Sequence, residues 1–354
     1  MSLHDEIHEQ PESLRRLLTE RRATVEAIAA ALRARPIDLV VVVARGSSDH
    51  AAIYAQYLFG AFHRLPVALA TPALTSIYGV TPRLDRALVI GISQSGRSPD
   101  VVGVLADARA QGGATVAITN DPASPLALAA EHVIDVVAGP ERAVAATKSY
   151  TAQILAVAML AAALGRPGET GFGGGPAERW AALDAVPAAI SGVLATEAAV
   201  AAVAQARGGM DRCIVLGRGF DYATAREWAL KLKELAQVAA DPYSAADFEH
   251  GPIALVEPGY PVLAVAASGA PLETLRPLLV RLREKHAVDL VVISDDPEVR
   301  AIGSAALAMP AGVAEWLTPA VSIVAGQLFA LHLTRARGLD AEAPRTISKV
   351  TLTR

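Results

Sequence analysis

The sequence predicts an α/β protein built from two similar domains, each with a central parallel sheet covered by helices on both faces. Three observations lead there. Short β-branched runs such as LVVVV and ALVIGI alternate with stretches of helical spacing, and runs apolar at every position suit strands buried on both sides. The turns between run and helix are small and polar, as in ARGSSDH and SQSGRS. Finally, the plan occurs twice in the same order.

The repeat is direct. Residues 39–60, LVVVVARGSSDHAAIYAQYLFG, share a strand, an Arg-Gly turn and a helix with residues 213–234, CIVLGRGFDYATAREWALKLKE, and 173 positions separate Gly46 from Gly219. At nearly the same offset ALVIGISQSG (87–96) lies over VLAVAASG (262–269), and AITNDP (117–122) over VISDDP (292–297). The expected organisation is an N-terminal helical segment over 1–36, a first domain over 37–170, a linker and helix over 171–208, a second domain over 209–340 and a tail over 341–354. The Gly-rich stretch 165–176 marks the break near residue 170, and an Ala-rich helix over 180–206 leads into the second copy. At the start, Leu14, Leu17 and Leu18 share a helix face.

Composition narrows the function. The 354 residues are 52% hydrophobic and 19% charged with a net charge of -4, and no block of like charges forms a basic stripe. Nucleic acid is not an expected partner. The N-terminus lacks the continuous apolar stretch of a leader, and ILAVAMLAAAL (154–164) is too short to span a bilayer. A cytoplasmic protein without membrane contact is expected. The one cysteine, Cys213, sits in an apolar run and reads as a small buried hydrophobe.

Polar turns at the carboxyl ends of parallel strands are where ligands gather. SQSGRS offers the hydroxyls of Ser93, Ser95 and Ser98, with Gln94 among them, and Gly96 allows close backbone approach at a helix N-terminus. That is the composition of a phosphate cradle. A bare helix cap needs one serine, and the second copy keeps Ser268 but has Ala266 and Ala267 in place of Ser93 and Gln94. Neither GxGxxG nor GxxxxGKS occurs, so a small phosphorylated molecule fits better than a nucleotide. Ser47 and Ser48, and the loop carrying Thr147, Lys148 and Ser149, are either further contacts or plain caps.

Among groups that do chemistry, Glu227, Lys231 and Glu234 share a helix face; they are either a solvated ion-pair stripe or a lysine-tuned general base. His250, before Gly251 and Pro252, is either a surface residue or an acid-base group in a rigid turn. Lys349 lies in the tail, where lysines are ordinarily solvated.

GISQSGRSPD, GPERAVAATKSYT, ALKLKEL, EHGPIAL and PRTISKV, in this order, resemble the sugar isomerase (SIS) domain family. They are most similar to the isomerase half of glucosamine-6-phosphate synthase and to stand-alone type II glucosamine-6-phosphate deaminases. The resemblance implies tandem flavodoxin-like sandwiches that bind a hexose or hexosamine 6-phosphate. It implies that Ser93, Gln94, Ser95 and Ser98 hold the phosphate, with Ser47 and Ser48 as a second contact, and that Val144 and Ala146 line the sugar. Glu234 becomes the base that moves a proton between C1 and C2, with Lys231 beside it. His250 becomes the ring-opening group, delivered by the neighbouring subunit of a homodimer, and Lys349 the lysine that forms a Schiff base. No metal or redox cofactor is implied.

Departures from the pattern matter too. Ser98 stands where a threonine is typical, and Ala146 where the synthase commonly has serine. About forty residues without cysteine precede the first strand, so a glutaminase is not expected, and EIHEQPESL resembles the stand-alone members. The expected activity is conversion of glucosamine 6-phosphate to fructose 6-phosphate and ammonia. The alternatives are a deglycase of fructosamine-type sugar phosphates, a galactosamine-6-phosphate deaminase, or a phosphosugar-sensing protein.

Overall fold

Strands with no polar position to turn toward water need cover on both faces. A computed structural model, which describes residues 2–165 and 171–349, provides that cover twice. The first sheet comprises β1 (Leu39–Val43), β2 (Val67–Leu69), β3 (Ala87–Ile92), β4 (Ala114–Thr119) and β5 (His132–Asp135). The second comprises β6 (Arg212–Gly217), β7 (Ala239–Ser244), β8 (Pro261–Val265), β9 (Asp289–Ser294) and β10 (Ala305–Ala308). All pairings are parallel. The orders β2-β1-β3-β4-β5 and β10-β9-β8-β6-β7 are the same topology, the flavodoxin-like order, with the strand order reversing between β1 and β3 and between β6 and β8.

The covering helices repeat as well. In Pro99–Ala110 the buried residues Val101, Val104, Leu105 and Ala108 recur at three- and four-residue steps and pack with Val41, Val43 and Val89. In Leu272–Glu284 the same spacing gives Leu275, Leu278, Leu279 and Leu282, packed with Val262, Ala264, Leu290 and Val292. Two helices are buried nearly all round. Lys148–Leu164 buries every residue from Lys148 to Ala162, and Thr318–Ala336 lies against Asp221–Ala236 and Glu197–Gln205. The segment Glu315–Ala336 is long and apolar enough to cross a bilayer, but its apolar window is 94% buried in the fold, as a core helix is.

The chain divides into two compact units. An N-terminal unit contains Glu12–Glu141, Lys148–Asp184 and the described tail from Ser348. A C-terminal unit contains the start of the chain up to Pro11, Arg142–Thr147 and Ala185–Ile347. The position near residue 170 expected for the break lies outside the described residues, and the two units divide between Asp184 and Ala185, within the helix Pro176–Leu194. Leu14, Leu17 and Leu18 are buried on the helix Gln10–Arg33, and Cys213 is buried in β6. The single Ala-rich helix expected over 180–206 is instead two, Pro176–Leu194 and Glu197–Gln205. Thr196 separates them, its hydroxyl bonded back to the Val193 carbonyl at 2.7 Å, a local alternative to continued helix.

At the centre of the C-terminal unit Trp228 and Phe329 meet edge to face, 5.5 Å between ring centroids. Phe329→Ala is expected to cost about 3–5 kcal/mol, whereas Leu128→Ala, at an exposed position, stays within about 0.5 kcal/mol. Chemical denaturation followed by tryptophan fluorescence measures both; equal effects would contradict this packing.

Candidate active site

In the N-terminal unit, the loop after β3 turns into the helix Pro99–Ala110. Gly96 sits at φ +62°, a conformation that favours glycine, and an added Cβ would lie 2.1 Å from Ser124 Oγ. The Gly96 N–H donates to Ser93 Oγ at 3.1 Å and the Asn120 N–H to the Gln94 carbonyl at 3.1 Å, which fixes the loop. Ser93 is buried, while Gln94, Ser95 and Ser98 are half-buried. Ser98 occupies the N-cap position, yet its hydroxyl makes no cap bond. Among the described residues no acceptor takes the Ser95 or Arg97 backbone N–H. The result is a set of loop donors at the N-terminal end of a helix whose one first-turn carboxylate, the buried Asp100, accepts from the Val101 N–H at 2.9 Å and does not take the Ser95 or Arg97 N–H.

Across the strand-order reversal, Gly46 at φ +57° brings β1 into the helix Ser47–His63, with Ser47 half-buried and Ser48 buried. Arg45 reaches from this turn to the buried Asp100, Nε to Oδ2 at 2.8 Å. That pair ties the two loops on either side of the reversal to each other, a link between motifs that sequence spacing did not indicate.

The C-terminal unit shows what the same position becomes when it is filled. At the 173-residue offset Asp221 corresponds to Ser48, and Ser268 to Ser95. There the Ser268 N–H donates to Asp295 Oδ1 at 2.8 Å and the Ala270 N–H to Glu315 Oε2 at 3.1 Å. Two carboxylates of the chain itself thus take the loop donors. Asp221 is buried and accepts from Thr318 Oγ1 at 3.0 Å. Burial, opposed by the Thr318 and Ser322 hydrogen bonds and aided by Glu315 and Asp295, pushes its carboxyl up to about 7.

The helix Asp221–Ala236 carries the acid-base candidates, and it is no solvated stripe. Glu227 and Lys231 are wholly buried and Glu234 is 22% exposed. Lys231 Nζ lies 3.3 Å from Glu227 Oε1 and 2.5 Å from Glu234 Oε2. Burial alone would lower the ammonium; Glu227 and then Glu234 reverse that and hold it above the usual lysine range. The lysine is therefore a fixed cation that orients Glu234 from the core side.

Lys349 is not a solvated tail lysine either. Within the N-terminal unit its Nζ lies 2.6 Å from Glu141 Oε2, and Glu141, wholly buried, also accepts from the Ser149 N–H at 3.0 Å and hydroxyl at 2.7 Å. Burial opposes the charged form of Glu141, but Lys349 and Ser149 outweigh it and hold the carboxyl below its ordinary range. Val144 and Ala146 are half-buried in the C-terminal unit, on a loop held by the buried Glu6, which accepts the Arg142 N–H at 2.5 Å and the Ala143 N–H at 3.2 Å. His250 is exposed at the end of the short helix Ala245–Glu249.

Sequence comparison accounts for this arrangement. The SIS domain profile matches residues 36–163 and 210–336. The chain belongs to the SIS domain family. It is 33% and 35% identical, over 97% of its length, to the isomerizing glutamine–fructose-6-phosphate aminotransferases of Symbiobacterium thermophilum and Gloeobacter violaceus, and spans 58% and 57% of those longer proteins. The C-terminal domain of glucosamine-fructose-6-phosphate aminotransferase from Francisella tularensis superimposes with a TM-score of 0.83 at 25% identity, covering 97% of this chain and 98% of that one. A structure from Silicibacter pomeroyi, assigned provisionally as a phosphosugar isomerase, gives 0.82 at 34% identity over 96% of this chain and 100% of its own. The two SIS domains thus correspond to the two sheets, and the homology is to the isomerase part of the aminotransferases.

Sequence reasoning singled out neither Glu141, in the first SIS domain, nor Glu6, which precedes it, although both lie in quoted motifs. Glu6 is flanked by Asp5 and Ile7 and Glu141 by Pro140 and Arg142, so nothing local marks either; their roles emerge only with their partners at Arg142, Ala143 and Lys349.

The second SIS domain yields a pH prediction. Between about pH 4 and 7 the folded chain keeps a proton on Asp221 that the unfolded chain has released, so stability falls as pH rises through that window and stays reduced above it. Asp221→Asn, which keeps the acceptor for Thr318, is expected to raise the melting temperature at pH 8 and leave it nearly unchanged at pH 4. An equal shift at both pH values in thermal scans would contradict the assignment.

Proposed function

We propose that the chain is a phosphosugar isomerase whose reaction is the isomerising deamination of glucosamine 6-phosphate to fructose 6-phosphate and ammonia. The observation that carries the reading is the buried Lys231, clamped between two carboxylates, which fixes Oε2 of the partly exposed Glu234. A binding protein has no need to bury a lysine for the purpose of aiming one carboxylate. The open donor set of Ser93, Gln94, Ser95 and Ser98 supplies the site for the 6-phosphate, with Ser47 and Ser48 as a second contact and Val144 and Ala146 against the sugar.

In this reading His250, exposed on its own subunit, opens the pyranose ring of substrate held by a second copy, so that the working form is a homodimer. Glu234 takes the proton from C2 of the open-chain amino aldose, giving an enolamine, and returns it to C1. The C2 ketimine that results is hydrolysed by water, releasing ammonia and leaving the ketose. Lys349, placed by Glu141, accelerates the last stage by adding to C2 and displacing ammonia as a Schiff base, which water then cleaves to restore the free amine.

The test follows ammonia and fructose 6-phosphate together from glucosamine 6-phosphate. Equal release of both is expected, with kcat lowered about 10²–10⁴-fold in Glu234→Gln and little change in phosphate affinity. Tight binding of the substrate by the wild-type chain without turnover would reject this substrate; fructosamine-type and galactosamine phosphates, assayed in parallel, would then distinguish a related enzyme from a sensor.

A further inference from the structure

We propose that His4, His8, Glu197 and His332, all in the C-terminal unit, form a binding site for a divalent transition metal of the zinc class. His4 and His8 lie one turn apart on the helix Leu3–His8, their rings 4.4 Å apart between centroids. Glu197 opens the helix Glu197–Gln205, and His332 projects from Thr318–Ala336. Three segments widely separated in sequence thus bring three imidazoles to one carboxylate. His4 Nε2 is 3.0 Å from Glu197 Oε1, His8 Nε2 is 2.8 Å from Oε2, and His332 Nε2 is 2.8 Å from Oε1. One ligand atom from each of His4, His8 and Glu197 falls within a mutual distance of 4.8 Å.

The donor set selects the ion. Three imidazole nitrogens and one carboxylate oxygen suit zinc and its neighbours, whereas calcium and magnesium take oxygen ligands. Metal–ligand bonds of about 2.0–2.2 Å in a tetrahedron set neighbouring ligand atoms about 3.3 Å apart, so the three nitrogen–oxygen spacings of 2.8–3.0 Å need to open by only a few tenths of an ångström, and His4, His8 and Glu197 form the grouped core to which His332, bonded to the same carboxylate, is added as the fourth ligand. Binding requires each ring to be neutral with its hydrogen on Nδ1 and its lone pair on Nε2. His332 and Glu197 are the more buried members, and His4 and His8, each about one third exposed, leave an entry path from solvent. None of the four has a part in the proposed sugar-phosphate chemistry. The ion would staple the first helix to Glu197–Gln205 and Thr318–Ala336, and binding only the folded state would raise its stability.

The test uses the full-length chain without an affinity tag, stripped with a chelator and titrated with Co²⁺ and then Zn²⁺. Expected are one equivalent bound per chain, the intense visible absorption of four-coordinate Co²⁺, its loss on adding Zn²⁺, and a melting temperature that rises with Zn²⁺ and falls again with chelator. His8→Ala, at an exposed position that leaves the core intact, and Glu197→Gln should each weaken binding by about tenfold or more. Failure of the wild-type chain to take up Co²⁺ or Zn²⁺ at micromolar concentration would overturn the proposal. So would uptake unchanged in both variants, and the three imidazoles would then serve only as hydrogen-bond partners of Glu197.

Discussion

A parallel strand that runs into a helix leaves backbone N–H groups with no partner in the fold, and the site depends on how this chain satisfies them. Both sheets face this constraint at the same place, where the strand order reverses. In the second SIS domain Asp295 and Glu315 accept from the loop and Asp221 is buried beside it, so the positive end of the helix already has its anion. In the first, serines stand in the loop, Asn120 bonds away to the carbonyl of Gly139 at 2.8 Å, Asp100 accepts from Val101 instead, and the Ser95 and Arg97 N–H groups have no acceptor among the described residues. The repeat thus presents the same turn twice, and in the second copy the chain's own carboxylates take the loop donors.

Burial then sets the character of the candidate acid-base groups. Lys231 on a solvated helix face would be a mobile cation worth little to its neighbours. Enclosed with Glu227 and reaching Glu234, it is held in place, because removing Lys231 would leave the buried Glu227 carboxylate without its cation in a dry environment. Glu141 plays the corresponding part for Lys349, converting a tail side chain into one with a fixed position. In both cases a wholly buried group holds a more exposed one, which is how a fold gives a side chain a fixed position at its surface.

Much of this was legible in the sequence because it is local or repeated. β-branched runs, helical spacing and the 173-residue offset specified two parallel sheets, and the excess hydroxyls of Ser93, Ser95 and Ser98 over the second copy pointed to the phosphate-type loop. What escaped is long-range. The spacing of Glu227, Lys231 and Glu234 placed them on one face but did not say that this face is covered. Asp295 and Glu315 lie 27 and 45 residues from the loop groups they satisfy, and Lys349 lies 208 from Glu141. The break at Thr196 was hidden by an alanine-rich pattern that favours helix throughout.

The most direct measurement is calorimetric titration of the wild-type chain, Ser95→Ala and Ser268→Ala with fructose 6-phosphate. One phosphate site belongs to each chain if only the first loop is open. Ser95→Ala should then weaken binding about 10–100-fold, the worth of a hydrogen bond to a charged group, and Ser268→Ala should leave it unchanged. Two sites per chain, or equal losses in the two variants, would contradict the claim that the second cradle is closed by its own carboxylates.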